Sequence, residues 1–149
     1  MTGSTETSEP QMIATVGGSV DQANVSLAIY AHDLEPEAVT SLVGRSPTRA
    51  HRKGDRNGKT VARNGGWFLT ENGVAPETVE EVVGRLLEKL PDDPALWRQL
   101  ATRYDVQLRF GLHILNWNRG FSLPKGLVRR LAQMELSLDF DIYADEPET

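Results

Sequence analysis

A chain of 149 residues, 39% hydrophobic and 25% charged, has the composition of an average globular protein and is long enough to bury about 70% of its unfolded surface in one core, which argues against disordered, fibrous and membrane-inserted classes alike. The formal charge of −5 disfavours non-specific nucleic-acid binding, and the absence of cysteine removes disulfides, thiol catalysis and thiolate metal sites. No apolar run approaches the roughly 18 residues of a spanning helix, and the start MTGSTETSEP has neither the basic nor the apolar region of a secretion signal, so no membrane association and a cytoplasmic location are expected.

Residues 1–20 read as a flexible N-terminal tail, with Met12 to Val16 as a short edge strand. A strand follows from Val25 to Tyr30, where Val25, Leu27 and Ile29 alternate with more polar neighbours. Pro36, Pro76, Pro94 and Pro124 each stand where a helix would begin, a first-turn position that needs no amide donor. The first helix, Pro36 to Val43, ends at Gly44, which suits a left-handed cap. The second, Pro76 to Leu90, places Val79, Val82, Val83, Leu86, Leu87 and Leu90 on one stripe, and Pro91 closes it. The third starts at an Asp93 cap and presents Leu96, Trp97, Leu100 and Tyr104; the fourth, Pro124 to Met134, presents Leu127, Val128 and Leu131.

Two late strands alternate strongly, one through Val106, Leu108, Phe110, Leu112 and Ile114, the other through Leu136, Leu138, Phe140 and Ile142. A weaker hairpin, Thr60 to Arg63 with Trp67 to Thr70, is expected around Asn64-Gly65. The opposite positions of the late strands and of Val25 to Tyr30 are largely polar, which implies an exposed sheet face. The expected fold is α+β: a single twisted, mostly antiparallel sheet of about four to six strands with four short helices mainly on one face. It spans residues 21–144, with 145–149 as an acidic C-terminal tail.

The segments LAIYAHDLEPEAVTSLVG, HRKGD, GGWFLT, NRGFSLP and LDFDIYA resemble the bacterial domain-of-unknown-function family numbered 4279. The resemblance covers about residues 22 to 144, and Lys53-Gly54-Asp55 and Gly66-Trp67 are its most recognisable elements. It implies a small bacterial protein with no established reaction, substrate or cofactor.

Three places carry chemistry worth weighing. Between Arg45 and Arg63 seven basic residues face only Asp55, a local charge of +6 that leaves −11 for the rest of the chain. From Glu135 onward there are six acids and no Lys or Arg, so the two segments attract one another or opposite partners, self-neutralisation being the plainer reading. Within the basic segment Arg49, His51, Arg52, Lys53 and Arg56 could clamp an anion, although a solvated loop is the plainer reading and no phosphate-loop pattern accompanies them. Lys53-Gly54-Asp55 reads as a turn, and Trp67 as a core anchor.

The polar sheet face is the second place. Arg109 and His113 lie on one late strand, and Asp139 and Asp141 on the other. As neighbours they form cross-strand ion pairs, or else His113 is a base oriented by an Asp. Two carboxylates without further oxygen ligands, and histidines without ligand spacing, give no metal site. The third place is the turn with Trp117, Arg119 and Phe121, residue types common in binding hot spots, for which structural packing is the alternative. No catalytic, cofactor or metal signature stands out. The reading favoured is a non-enzymatic binding or protein-interaction module, immunity-like in one form; the alternative is an enzyme or sensor for a small anionic ligand held by the Arg49 to Arg63 loop.

Overall fold

Period-two alternation makes the strands and period-3.6 stripes make the helices, in the computed structural model that describes residues 18–115 and 118–144. In chain order the elements are β1 (Gln22–Ala31), α1 (Pro36–Val43), β2 (Arg49–His51), β3 (Arg56–Asn57), β4 (Thr60–Val61), β5 (Gly65–Val74), α2 (Val79–Glu88), α3 (Pro94–Arg103), β6 (Asp105–Ile114), α4 (Lys125–Gln133) and β7 (Ser137–Ala144). The Met12 to Val16 strand, Trp117 and the 145–149 tail lie outside the described residues.

Five strands form one sheet in the order β2-β5-β1-β6-β7, antiparallel except for the β6–β7 pair, and β3 and β4 form a separate ribbon. Leu27 lies opposite both Leu69 and Leu108, so the side chains of Val25, Leu27, Ile29, Trp67, Leu69, Val106, Leu108 and Phe110 share the face that the helices cover, and all are buried. The expected α+β architecture, with one face left open, is the one the chain adopts. No helix among the described residues is long and apolar enough to cross a membrane.

Helix α2 supplies the firmest layer. Its five apolar stripe residues are all buried, as is Leu90 just past its end, and its start is a reciprocal capping box: Thr78 Oγ1 accepts from the Glu81 amide at 3.1 Å and Glu81 Oε1 accepts from the Thr78 amide at 2.9 Å. This corrects the expectation for Pro76, which lies in the turn that leaves β5 after a cis Ala75–Pro76 peptide, ahead of the cap. Pro36 and Pro94 do occupy the first turn, whereas Pro124 is the N-cap residue itself. At the other end of α2, Arg130 from α4 donates to the carbonyls of Leu87 and Leu90 at 2.9 and 3.3 Å, capping orphan acceptors with a cation.

The expected Asn64-Gly65 hairpin is also corrected. Thr60–Val61 pairs with Arg56–Asn57, and the turn is Gly58-Lys59, with Gly58 at φ 64° as the first central residue of such a two-residue loop requires. Gly65 instead opens β5, where an added Cβ would stand 2.7 Å from the Leu34 carbonyl oxygen. Backbone rather than a flexible side chain blocks the site, so Gly65→Ala is expected to lower unfolding free energy by about 1–3 kcal/mol in urea titration.

On the helix face, Arg85 of α2 pairs with Glu71 of β5 at 2.8 Å and with Glu77, while Lys89 also pairs with Glu71. Burial by itself raises the Glu71 carboxyl, but the hydrogen bonds from Lys89 and Arg85 outweigh it and hold the group below its ordinary 4.5. A depressed folded value stabilises the native state fully above pH 4.5, and that contribution is lost as pH falls through the folded value. Denaturation measured from about pH 6 down to about pH 3 should thus show an acid loss of stability that is shallower in Glu71→Gln.

Two apolar expectations fail at one edge. Val128 is exposed, and so are Leu138, Phe140 and Ile142, because β7 is an edge strand and the short α4 places Leu131 and its cap Met134 into the core without reaching across β7.

Candidate functional site

The open face of the sheet and the β3–β4 ribbon together position the polar residues. On the open side the register places Ser26 opposite Thr70 and Arg109, and Arg109 opposite Asp139; Phe68 stands opposite Arg49. The result is a shallow depression of about 180 Å³, lined in part by Asn24, Ser26, Arg109, Asp139, Asp141 and Tyr143, with Arg49 at its rim.

Arg49 also borders a second concavity, of about 430 Å³, between β2 and the ribbon. His51, Asp55, Arg56, Asn57 and Thr60 line it as well. The ribbon is placed by a tight turn: the Arg52 amide donates to Asp55 Oδ2 at 2.8 Å, Gly54 takes φ 92°, and Gly54 and Ala62 bond across the ribbon's base. Asp55 is thereby engaged with backbone. The Arg49 guanidinium lies 4.2 Å from the Phe68 ring centroid, and the His51 ring is 5.8 Å from the same ring. Gly66 makes room for both, since a Cβ there would approach His51 Cε1 to 2.7 Å and the Phe68 ring to 2.9 Å.

The basic segment is therefore divided. Arg52 pairs with Glu35 at 2.9 Å and with Glu37 at the start of α1, and its hydrogen bond holds the Glu37 carboxyl below the ordinary range. That residue anchors the loop and is withdrawn from anion binding. Lys53 Nζ donates to His32 Nε2 at 2.9 Å. Arg49, His51 and Arg56 remain, and among the described residues neither arginine has an ion-pair partner. Nor do the basic segment and the C-terminal acids neutralise one another among the described residues, because β2 and β7 are opposite edges with three strands between them.

Across the sheet face, Arg109 pairs with Asp139 at 3.3 Å and donates to Tyr30 Oη at 3.0 Å; the Tyr30 contact first, then the nearby acids, hold its guanidinium more firmly protonated. The Tyr143 hydroxyl donates to Asp141 at 2.6 Å, which raises its pKa, and the Tyr143 ring stacks on His113 at 4.8 Å. Both carboxylates have partners other than His113, so among the described residues no hydrogen bond orients that imidazole as a base, and the ion-pair reading of this face describes it better. No three His, Asp or Glu side chains gather for a metal among the described residues.

In the third region Trp117 lies outside the described residues. Arg119 pairs with Asp21 at 3.3 Å and donates to the Asn118 carbonyl at 2.9 Å, a structural role at the start of β1. Phe121 is partly exposed and stacks near Phe110 and Phe140 at 6.4 and 6.1 Å.

Sequence reasoning missed Phe68, Asn57 and Thr60. Phe68 alternates with the buried Trp67 and Leu69, which was a signal that it faced the other side; the ribbon residues carried none.

A family model described as "Domain of unknown function (DUF4279)" matches residues 21–145. Comparison with curated proteins and with solved structures gives no match.

Proposed function

The chain belongs to the DUF4279 family, and we propose that it is a non-enzymatic binding domain that takes a small phosphate- or carboxylate-bearing ligand between β2 and the β3–β4 ribbon. The observation that carries this reading is the convergence of Arg49, Arg56 and His51 on one concavity of about 430 Å³, with neither guanidinium paired to a carboxylate among the described residues. Such a volume lies in the range of about 300–1,000 Å³ usual for small-molecule sites. Guanidinium forks match carboxylate and phosphate oxygens, and Asn57 and Thr60 offer neutral hydrogen bonds beside them. Phe68 underlies Arg49 and limits the orientations it samples, so less order has to be imposed when an anion arrives.

Binding without turnover is the better description because, among the described residues that line this concavity, Asp55 is held by the Arg52 amide and His51 faces an aromatic ring, with no hydrogen bond joining either to the Thr60 hydroxyl. The test is a thermal-shift screen of nucleotides, phosphorylated metabolites and carboxylates. A true ligand at a hundred times its Kd stabilises the folded state by about 2.7 kcal/mol. That stabilisation should fall to about 0.4–1.4 kcal/mol in Arg49→Ala and in Arg56→Ala and persist in full in Arg98→Ala, whose arginine lies away on α3. If no compound stabilises the protein, or if the shift survives in the Arg49→Ala, Arg56→Ala double variant, the reading fails.

A further inference from the structure

The last strand, β7, ends the sheet with its outer backbone edge unpaired among the described residues, and all eight of its residues are exposed. An edge strand in that state presents a row of N–H and C=O groups to any extended chain that can match its side chains. Lys and Pro, two of the usual devices against such pairing, are absent from its sequence SLDFDIYA, whose only charges are Asp139 and Asp141.

Its two faces specify the match. Toward the helix side point Leu138, Phe140 and Ile142, exposed to 40%, 43% and 59%, and Phe140 continues into a ladder with Phe110 at 4.6 Å and Phe121 at 6.1 Å. Toward the open side point Asp139 and Asp141. Asp139 is paired with Arg109, whereas Asp141 has only the Tyr143 hydroxyl and, among the described residues, no cation at ion-pair distance. From Glu135 to the end of the sequence there is no Lys or Arg.

We infer that β7 takes up an extended segment of a partner protein in which apolar residues alternate with Lys or Arg, the apolar ones covering Leu138, Phe140 and Ile142 and the basic ones facing Asp139 and Asp141. Charge complementarity selects this occupant over the two others the chain itself offers. A second copy pairing β7 with β7 sets carboxylate against carboxylate on the open face, and like charges directly opposite destabilise a strand pair. The chain's own first seventeen residues carry no Lys or Arg to meet Asp139 and Asp141, so they lack the complementary charge. The two aspartates thus act as the selective element, rejecting acidic and self strands while accepting a basic one.

The probe is a fluorescently labelled heptapeptide with Val at alternate positions and Lys between them, titrated by anisotropy into the full chain, with the Glu-for-Lys peptide as its counterpart. The Lys peptide should bind wild-type protein, more weakly as salt rises, and should lose about tenfold or more in affinity to Asp141→Lys and to Ile142→Asp. The Glu peptide should bind only Asp141→Lys. Both sites are exposed, and Asp141→Asn replaces Asp141→Lys should the latter not fold. Arg98→Ala, on α3, should leave peptide affinity unchanged, and the anion screen is read without the peptide, so this result and the anion-site result stand or fall separately. The inference is overturned if the Lys peptide does not bind, if both peptides bind wild type equally, if Asp141→Lys and Asp141→Asn both leave the affinity unchanged, or if wild type sediments as a dimer that Ile142→Asp makes monomeric.

Discussion

Arg49→Ala is expected to weaken binding of an anion identified by the screen by about tenfold to a hundredfold, because a charge-assisted hydrogen bond contributes about 1.5–3 kcal/mol. The same substitution should cost little stability. What it removes from the folded protein is the guanidinium over Phe68, 4.2 Å from the ring centroid, a contact at a half-open site that contributes about 0.5–1 kcal/mol. Affinity falling far more than stability separates a binding role from a structural one. Arg49→Lys should lie between, retaining the charge but losing the planar fork that engages two oxygens together. Calorimetric titration of the three proteins checks the order.

The second large effect is on the core. Trp67 is fully buried between the sheet and α1, and its indole Nε1 donates to Thr40 Oγ1 at 3.0 Å. Trp67→Ala should lower unfolding free energy by about 3–5 kcal/mol, since truncation of a buried aromatic loses both its transfer energy and the cavity's contacts. For a domain whose stability is on the order of 5–15 kcal/mol, this is about a fifth or more of the total. Trp67→Phe should recover much of it, leaving a deficit of about 1 kcal/mol or more from the lost hydrogen bond and residual space. Urea unfolding followed by far-ultraviolet dichroism measures all three.

Legibility differed by element for physical reasons. Helix α2 was readable because burial of one stripe repeats at 3.6 residues, and its five apolar stripe residues, with Leu90 just beyond, are in the core. Its start was misplaced at Pro76, although Thr78 and Glu81 carry a capping-box signature three residues apart, a more specific signal than proline. The Asn64-Gly65 pair misled because a local turn dipeptide says nothing about the long-range pairing of β5 with β1, and Gly65 is needed for close approach to Leu34. Alternation in β7 gave its strand and its two faces but not their exposure, since which strand is the edge depends on sheet order, a property of distant pairs.

The site was readable as composition and unreadable as geometry. A run of basic residues marked Arg49 to Arg56, yet Arg52, central in that run, is engaged by Glu35 and Glu37 from an element fifteen or more residues earlier. On the sheet face the Arg109–Asp139 pair followed from alternation once β6 and β7 were neighbours, and the stacking of His113 on Tyr143 could not have been seen without their register.

The account rests on the concavity between β2 and the ribbon, and an amide-resolved nuclear magnetic resonance titration with inorganic pyrophosphate tests it most directly. Chemical-shift changes should concentrate at residues 49–51, 55–57 and 60–62, saturate, and require about tenfold or more pyrophosphate in Arg49→Ala. Shifts that stay linear with concentration and scatter over Arg and Lys residues of α2, α3 and α4, unchanged in Arg49→Ala, would contradict it.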